Sequence, residues 1–314
     1  MSHERLHRYD ARSWRDALDA LCPEMHPVDR DATRIWFHFF PLPLADAVSA
    51  AANLPELSRR LRLAGDYSLA TQVDTSHWFL YGHRFWPSVK AAIIAWSESS
   101  SGTATDLSSS IRAIATQAAR SAGAPSSMLI GMSFIGLMTL RQVGPDQFRR
   151  GSGRAVSPGV TRTPEQIIAA RQKDDGQGWL GFLRGPKTEF TVCFDERRHD
   201  ASFTLINQQD LTMAAATDTR DYLSGARPSR EGPIPTDCRS ASCGTCWVGI
   251  LGGAGKLSDV DDLERRRLRE FGYISTEEPR PVIRLACMAK ASGHITIAIP
   301  SWNGIIGHAN LGPV

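Results

Sequence analysis

The sequence predicts an α+β protein in which an N-terminal all-α helical domain precedes a smaller domain of strands and short helices. Three observations predict this division. Over the first 150 residues, apolar side chains recur near the 3.6-residue period of a helix. From Thr188 onward the period changes to two, which is typical of half-buried strands. Between these regions, residues 149–162 combine arginine, glycine and proline, and this composition predicts an exposed linker.

The composition is that of an ordinary globular protein. Of 314 residues, 42% are hydrophobic and 22% are charged, which excludes a disordered or collagen-like chain. The net charge of +3 is small, so nucleic acid is not expected as a partner. Six cysteines are too few for a secreted scaffold that depends on disulfides.

The N-terminal domain, residues 1–150, is predicted to be a helical bundle. Residues 13–21, 89–96 and 111–119 each have helical spacing of apolar side chains. Residues 42–63 have it too, but Pro55 is expected to split that stretch into two helices, because proline interrupts a helix.

An uncharged stretch at residues 121–140 is the strongest membrane candidate in the sequence. Its apolar core, residues 128–140, is 13 residues long, whereas a membrane span needs about 20 apolar residues. We therefore predict a buried helix, and membrane contact only through a partner complex. The polar residues at the start contain no apolar export segment, so the cytoplasm is the expected location.

The remaining elements belong to a linker and to the second domain. Residues 151–187 are predicted as a linker with one short helix, since Thr163, Pro164 and Gln166 form a capping box with proline at the first helical position. Residues 188–300 form the second domain, followed by a tail at 301–314. Its predicted strands are 190–194, 202–207, 246–251, 282–286 and 294–299, with a helix at 210–223 and another that Ser258 caps.

Four cysteines of the second domain form the most informative pattern in the sequence. Cys238, Cys243, Cys246 and Cys287 have the spacing C-x4-C-x2-C, followed by 40 residues and the fourth cysteine. The residues between the first three cysteines are mostly small, so the backbone can curve tightly and direct its N–H groups at sulfur. This is the ligand spacing of plant-type [2Fe–2S] sites.

Two other uses of these cysteines are weaker interpretations. A structural zinc site also takes four thiolates, but zinc ribbons favour two C-x2-C pairs and this chain has one. Disulfides are disfavoured in a reducing compartment. Cys22 and Cys193 lie outside the pattern and are interpreted as a free thiol and a small buried side chain.

The surrounding residues extend the pattern into a family resemblance. The run CRSASCGTCWVGILG from Cys238, with Lys256-Leu257-Ser258, Glu264, Leu268, Arg284-Leu285-Ala286-Cys287 and Gly293-His294-Ile295-Thr296-Ile297, resembles the plant-type [2Fe–2S] ferredoxin family. The resemblance is confined to the C-terminal domain. It implies a β-grasp fold, one [2Fe–2S] cluster and one-electron transfer. It also implies that Cys238, Cys243, Cys246 and Cys287 are the cluster ligands.

The helical domain contains no recognisable catalytic or nucleotide-binding motif, and no catalytic residue is assigned. The leading hypothesis is an electron carrier or redox-complex subunit rather than a stand-alone enzyme. In it, the helical domain docks the cluster domain to a larger redox enzyme, and redox proteins are the donor and acceptor. The alternative is a catalytic or sensor protein whose helical domain binds a substrate or second cofactor. Haem bound through His38, His77 or His83, which lie among aromatic residues, is one such case.

Overall fold

The structure is a computed structural model that describes residues 2–99, 106–151, 153, 161–175, 188–225, 227–273 and 278–307. The helices in these ranges are α1 (Ala11–Leu21), α2 (Pro27–Phe39), α3 (Leu42–Ala50), α4 (Leu54–Leu61), α5 (Trp86–Glu98), α6 (Leu107–Ala122), α7 (Ile130–Arg150), α8 (Pro164–Asp175), α9 (Leu211–Ala215) and α10 (Asp262–Phe271). The strands are β1 (Ala64–Gly65), β2 (Glu189–Cys193), β3 (Ser202–Ile206), β4 (Trp247–Gly252), β5 (Ile283–Leu285), β6 (Ile295–Ala298) and β7 (Trp302–Asn303).

The chain divides into two compact units. The first, here called the helical unit, consists of Met1–Asp46 and Ser68–Pro158. The second, the sheet unit, consists of Ala47–Tyr67 and Gly159–Val314, and it contains the described strands. The sheet unit therefore includes a segment of the predicted N-terminal domain. Most of the predicted linker at residues 149–162 lies outside the described residues.

The helical unit is built around α7. Phe134, Ile135, Leu137 and Met138 of this helix are fully buried, and α7 packs against α2, α5 and α6. The sequence therefore predicted a buried helix here correctly. Gly144, at φ 77° and ψ 165°, interrupts α7 just before Pro145. Among the helices of the described ranges, none combines the length and the apolar character that a membrane crossing needs.

Local signals set several helix ends. Residues 42–63 form α3 and α4, separated as Pro55 predicted, and the side chain of Asn53 accepts a hydrogen bond from the Glu56 N–H at the start of α4. The predicted capping box of α8 is present. Thr163 Oγ1 accepts from the Gln166 N–H at 3.3 Å, and Gln166 Oε1 accepts from the Thr163 N–H at 2.8 Å.

The sheet unit contains a mixed five-stranded sheet in the order β3-β2-β6-β4-β5. The pair of β2 and β6 is parallel, and the other neighbouring strands are antiparallel. α8 packs against β4 and β6, and the carboxylate of Asp174 accepts a hydrogen bond from the Thr296 hydroxyl at 2.8 Å. Strands and helices alternate in the order that the sequence predicted.

Two predicted helices differ from the structure. The helix expected at 210–223 is reduced to α9, since the carboxylate of Asp218 binds the side chains of Arg220 and Tyr222 in a bend that follows it. Ser258 does not cap α10. Asp261 is the cap, whereas the hydroxyl of Ser258 accepts from the Lys290 N–H at 3.3 Å.

The described part of the predicted tail at 301–314, residues 301–307, contributes to the sheet unit. β7 pairs antiparallel with β1, with Ala64 opposite Asn303. The Ile305 N–H donates to the Leu61 carbonyl at 2.8 Å, and the Ile306 N–H to the Phe271 carbonyl at 2.9 Å. These bonds explain why residues 47–67 group with the sheet.

Candidate metal centre

Two of the four predicted ligands lie at one end of the sheet. β4 and β5 are antiparallel, with Trp247 opposite Leu285. Cys246, just before β4, and Cys287, just after β5, therefore lie at the same end of the sheet. The Ala286 N–H donates to the Cys246 carbonyl at 3.0 Å. The sheet register thus brings together two cysteines that are far apart in sequence.

The other two ligands lie on a sharply curved loop, residues 238–246. Arg239, Ala241 and Gly244 adopt left-handed backbone conformations with φ of 53°, 58° and 73°. This curvature turns backbone N–H groups toward sulfur. The Ser240 N–H lies 3.5 Å from Cys238 Sγ, and the Thr245 N–H lies 3.4 Å from Cys243 Sγ. The small residues of the loop thus form the N–H cradle that the sequence predicted.

The four thiols influence one another's ionisation. Cys238 and Cys243 shift each other's pKa, as do Cys246 and Cys287, and Cys243 and Cys238 also act on Cys246 and Cys287 respectively. Burial opposes ionisation of Cys238, but hydrogen bonds from the Ser242 side chain and the Ser240 N–H outweigh it and lower its pKa to about 6. Burial raises the pKa of Cys243. The hydrogen bond between Cys246 and Cys287 raises the pKa of Cys246 and lowers that of Cys287.

This donor set fits a two-iron cluster. Within the described ranges, no group of three or more His, Cys, Asp or Glu side chains gathers around a single point that could hold a metal ion. A [2Fe–2S] cluster takes four cysteine thiolates, and the four thiols of Cys238, Cys243, Cys246 and Cys287 match that set in number and chemistry. Binding releases the protons that the thiols still hold, because metal ligation requires thiolates.

The loop lies at the surface, although its cysteines are partly or fully covered. Cys246 is 2% exposed, and Cys238 and Cys243 of the loop are half-buried, as is Cys287. Arg239, Ser240 and Ser242 are exposed. The guanidinium of Arg239 forms an ion pair with Glu231 and approaches Met213 Sδ at 3.0 Å.

Trp247, which follows the third cysteine, packs in the core. It is fully buried and stacks on Tyr273, with ring centroids 4.1 Å apart and an interplanar angle of 15°. Trp302 contacts it edge-on at 5.7 Å. The aromatic stack holds the start of β4, and hence Cys246, against the rest of the sheet unit.

Sequence reasoning missed Arg227. This residue is 9% exposed and borders a cavity of about 500 Å³ together with Cys243 and Thr245. Burial lowers the pKa of Arg227 to about 10, so the guanidinium remains charged at neutral pH. Arg227 lies in a segment rich in Arg, Gly and Pro, residues 224–235, and this composition has no spacing that indicates burial.

The remaining candidate residues lie apart from this centre. In the helical unit, His77 Nδ1 and His83 Nδ1 are 2.7 Å apart, and the His77 ring packs on Trp86 at 4.3 Å between centroids. His38 lies on α2 beside Phe37. Cys193 is buried at the end of β2, as predicted, and Cys22 is half-buried just after α1.

Comparison with known proteins identifies a segment of the sheet unit. Residues 205–292 match the family model of the 2Fe-2S iron-sulfur cluster binding domain, and this match contains all four cysteines. No curated protein matches the chain. The matched segment is therefore a 2Fe-2S ferredoxin-type domain with an electron-transfer role, and the cofactor of this chain is a [2Fe–2S] cluster.

Proposed function

We propose that this protein transfers single electrons through a plant-type [2Fe–2S] cluster held by Cys238, Cys243, Cys246 and Cys287. The observation that supports this assignment most directly is that the sheet register brings Cys246 and Cys287 to one end of the sheet, while backbone N–H groups of the loop reach the sulfurs of Cys238 and Cys243, all inside the matched domain. Six free thiols suit a reducing compartment, and we propose the cytoplasm.

The chain's own residues hold and shield the site. When bound, a [2Fe–2S] cluster accepts one electron from a reduced donor and gives it to an oxidised acceptor. The N–H groups of Ser240 and Thr245 point at ligand sulfurs and stabilise their negative charge. The exposed face of the loop, at Ser240 and Ser242, is the shortest route for electrons between the site and a partner protein.

The test uses the intact chain, purified anaerobically. We expect about two irons and two acid-labile sulfides per chain, and an EPR signal after reduction. Cys243→Ser should remove the native EPR spectrum, whereas Cys22→Ser, which changes a thiol of the helical unit, should leave it unchanged. A zinc-bound, iron-free protein, or an unaltered spectrum in Cys243→Ser, would overturn the ligand assignment.

We assign the helical unit to docking with a larger redox enzyme. Several of its aromatic and histidine side chains pack in its own interior, as the contact of His77 with Trp86 illustrates, so a partner would bind other, exposed residues of the unit. Anaerobic capture with the intact chain should retain an oxidoreductase that reduces or oxidises the cluster. A second chromophore in the purified chain, such as haem, would overturn this assignment in favour of the sensor or catalytic alternative.

A further inference from the structure

Arg227 is a buried cation whose hydrogen-bonding capacity is largely unused. Its side chain is 9% exposed. Nη1 lies at the long end of hydrogen-bonding distance from the carbonyls of Pro300 and Trp302, at 3.5 and 3.4 Å. Within the described residues, Nε and Nη2 are shielded from solvent and have no partner. A buried charge in this state is unfavourable unless an anion lies close to it.

Three other polar groups near Arg227 bind elsewhere. Asp237 accepts a hydrogen bond from the Thr245 hydroxyl at 2.7 Å, and its charge acts on Arg227 only through space. Glu231, which borders the same cavity, is paired with Arg239. The Tyr273 hydroxyl donates to the Gly304 carbonyl at 2.6 Å. None of these three groups neutralises the guanidinium through a direct bond in the described structure.

The remaining groups that act on Arg227 are cysteines of the metal centre. Cys243 borders the same cavity, and Cys243 and Cys246 both interact electrostatically with the guanidinium. Because Nε and Nη2 are shielded from solvent, a dissolved anion in the cavity cannot reach them without movement of the side chain. A cluster with four thiolate ligands carries a net negative charge, which increases by one unit when an electron arrives.

We propose that Arg227 is the buried counter-charge of the cluster and raises its reduction potential, because a fixed positive charge stabilises the reduced state more than the oxidised state. This inference rests on the ligand assignment proposed above. In this role Arg227 acts on the cluster through its charge and is not a ligand. The electron passes from donor to acceptor, and no proton or group is transferred.

The test is a potentiometric titration of the cluster, followed by EPR, in the intact chain. At the wild-type midpoint potential, Arg227→Met should lower the ratio of reduced to oxidised cluster about tenfold, a shift of about 59 mV for a one-electron couple. Arg227→Lys keeps the charge and should restore most of the wild-type value. Arg230→Met and Arg62→Met are matched controls, because both arginines border the same cavity but are exposed to solvent.

The outcomes separate this inference from the proposed function. If Arg227→Met assembles a normal amount of cluster with the wild-type potential, or if the two control variants shift the potential equally, the inference is wrong while the ligand assignment stands. If the wild-type chain binds no cluster, the proposed function itself fails.

A second measurement decides the case in which Arg227→Met assembles no cluster. In the cluster-free chain the guanidinium has lost its counter-charge, so apo Arg227→Met should unfold at a higher urea concentration than the apo wild type. The same or a lower urea midpoint would overturn the inference.

Discussion

The carboxylate of Glu264 and the guanidinium of Arg284 form a bidentate ion pair in which both side chains are 1% exposed. The two bonds measure 2.9 and 2.8 Å, and Glu264 Oε1 also accepts from the Leu285 N–H at 2.8 Å. The pair joins α10 to β5, the strand that ends just before Cys287. Both residues belong to the run that resembles ferredoxins, and the structure gives them a shared role in holding the fourth cysteine.

We expect Glu264→Gln to destabilise the sheet unit by about 3–5 kcal/mol, because it leaves a buried arginine without its counter-charge. Urea unfolding and iron content measure the effect. Glu270→Gln is the matched control on the same helix, since Glu270 pairs with Arg267 at an exposed site and should cost less than about 1 kcal/mol. Equal losses in the two variants would contradict the importance of the buried pair.

Gly244 is expected to be essential for the loop. Its φ is +73°, and an added Cβ would lie 3.0 Å from the Phe271 ring. Gly244→Ala combines a left-handed conformation, which costs about 1–2 kcal/mol, with this steric contact, and should reduce the iron content. Gly123→Ala is the control, because Gly123 has φ +63° but open space around its Cβ position. That variant should lose stability and keep its iron, and unchanged iron in both variants would contradict the prediction.

His77 should make the helical unit sensitive to acid. Burial lowers its pKa from 6.5 to about 3. Below pH 6.5 the unfolded state takes up a proton that the folded state does not, so stability is complete above pH 6.5 and is lost as the pH falls toward 3. The slope is about 1.4 kcal/mol per pH unit for one group.

Urea unfolding between pH 7 and 4.5 measures this slope. His77→Phe should reduce the slope by about 1.4 kcal/mol per pH unit, and His38, whose pKa burial lowers to about 4, should account for much of the slope that remains. At pH 7 the variant should be less stable than the wild type, because the contact between His77 Nδ1 and His83 Nδ1 is lost. His7→Gln changes an exposed histidine and should leave the slope unaltered. A wild-type slope in His77→Phe would show that another group controls the response to acid.

Trp302 should be part of the folded core, although the sequence predicted a tail at this position. It is fully buried against Trp247, so Trp302→Ala should cost about 3–5 kcal/mol. Ser301→Ala, which removes a hydrogen bond of 3.0 Å to the Asp66 carbonyl, should cost about 1 kcal/mol. Thermal unfolding compares the two variants. A loss in Trp302→Ala as small as the loss in Ser301→Ala would indicate that residues after 300 contribute little to the fold.

Elements with a strong local signal were predicted well. Thr163 and Gln166 form their capping box within one turn, and Pro55 acts on its own helix, so neither depends on distant contacts. Ser258 had an equally plausible local signal for a helix start. Its hydroxyl instead binds the Lys290 N–H in the structure, and Asp261 takes the capping position. A local sequence pattern does not show that Lys290, 32 residues away, binds the Ser258 hydroxyl.

The sequence by itself determined the donor chemistry: four thiols at a spacing that suits iron and sulfide, carried by small residues that permit a tight loop. Only the tertiary structure decided that Cys246 and Cys287 meet at one end of the sheet, and that Arg227 and the ion pair of Glu264 with Arg284 are buried nearby. The physical reason is the range of the interactions. Loop curvature follows from neighbouring residues, whereas the cost of a buried charge depends on groups that the sheet register and the C-terminal residues bring together.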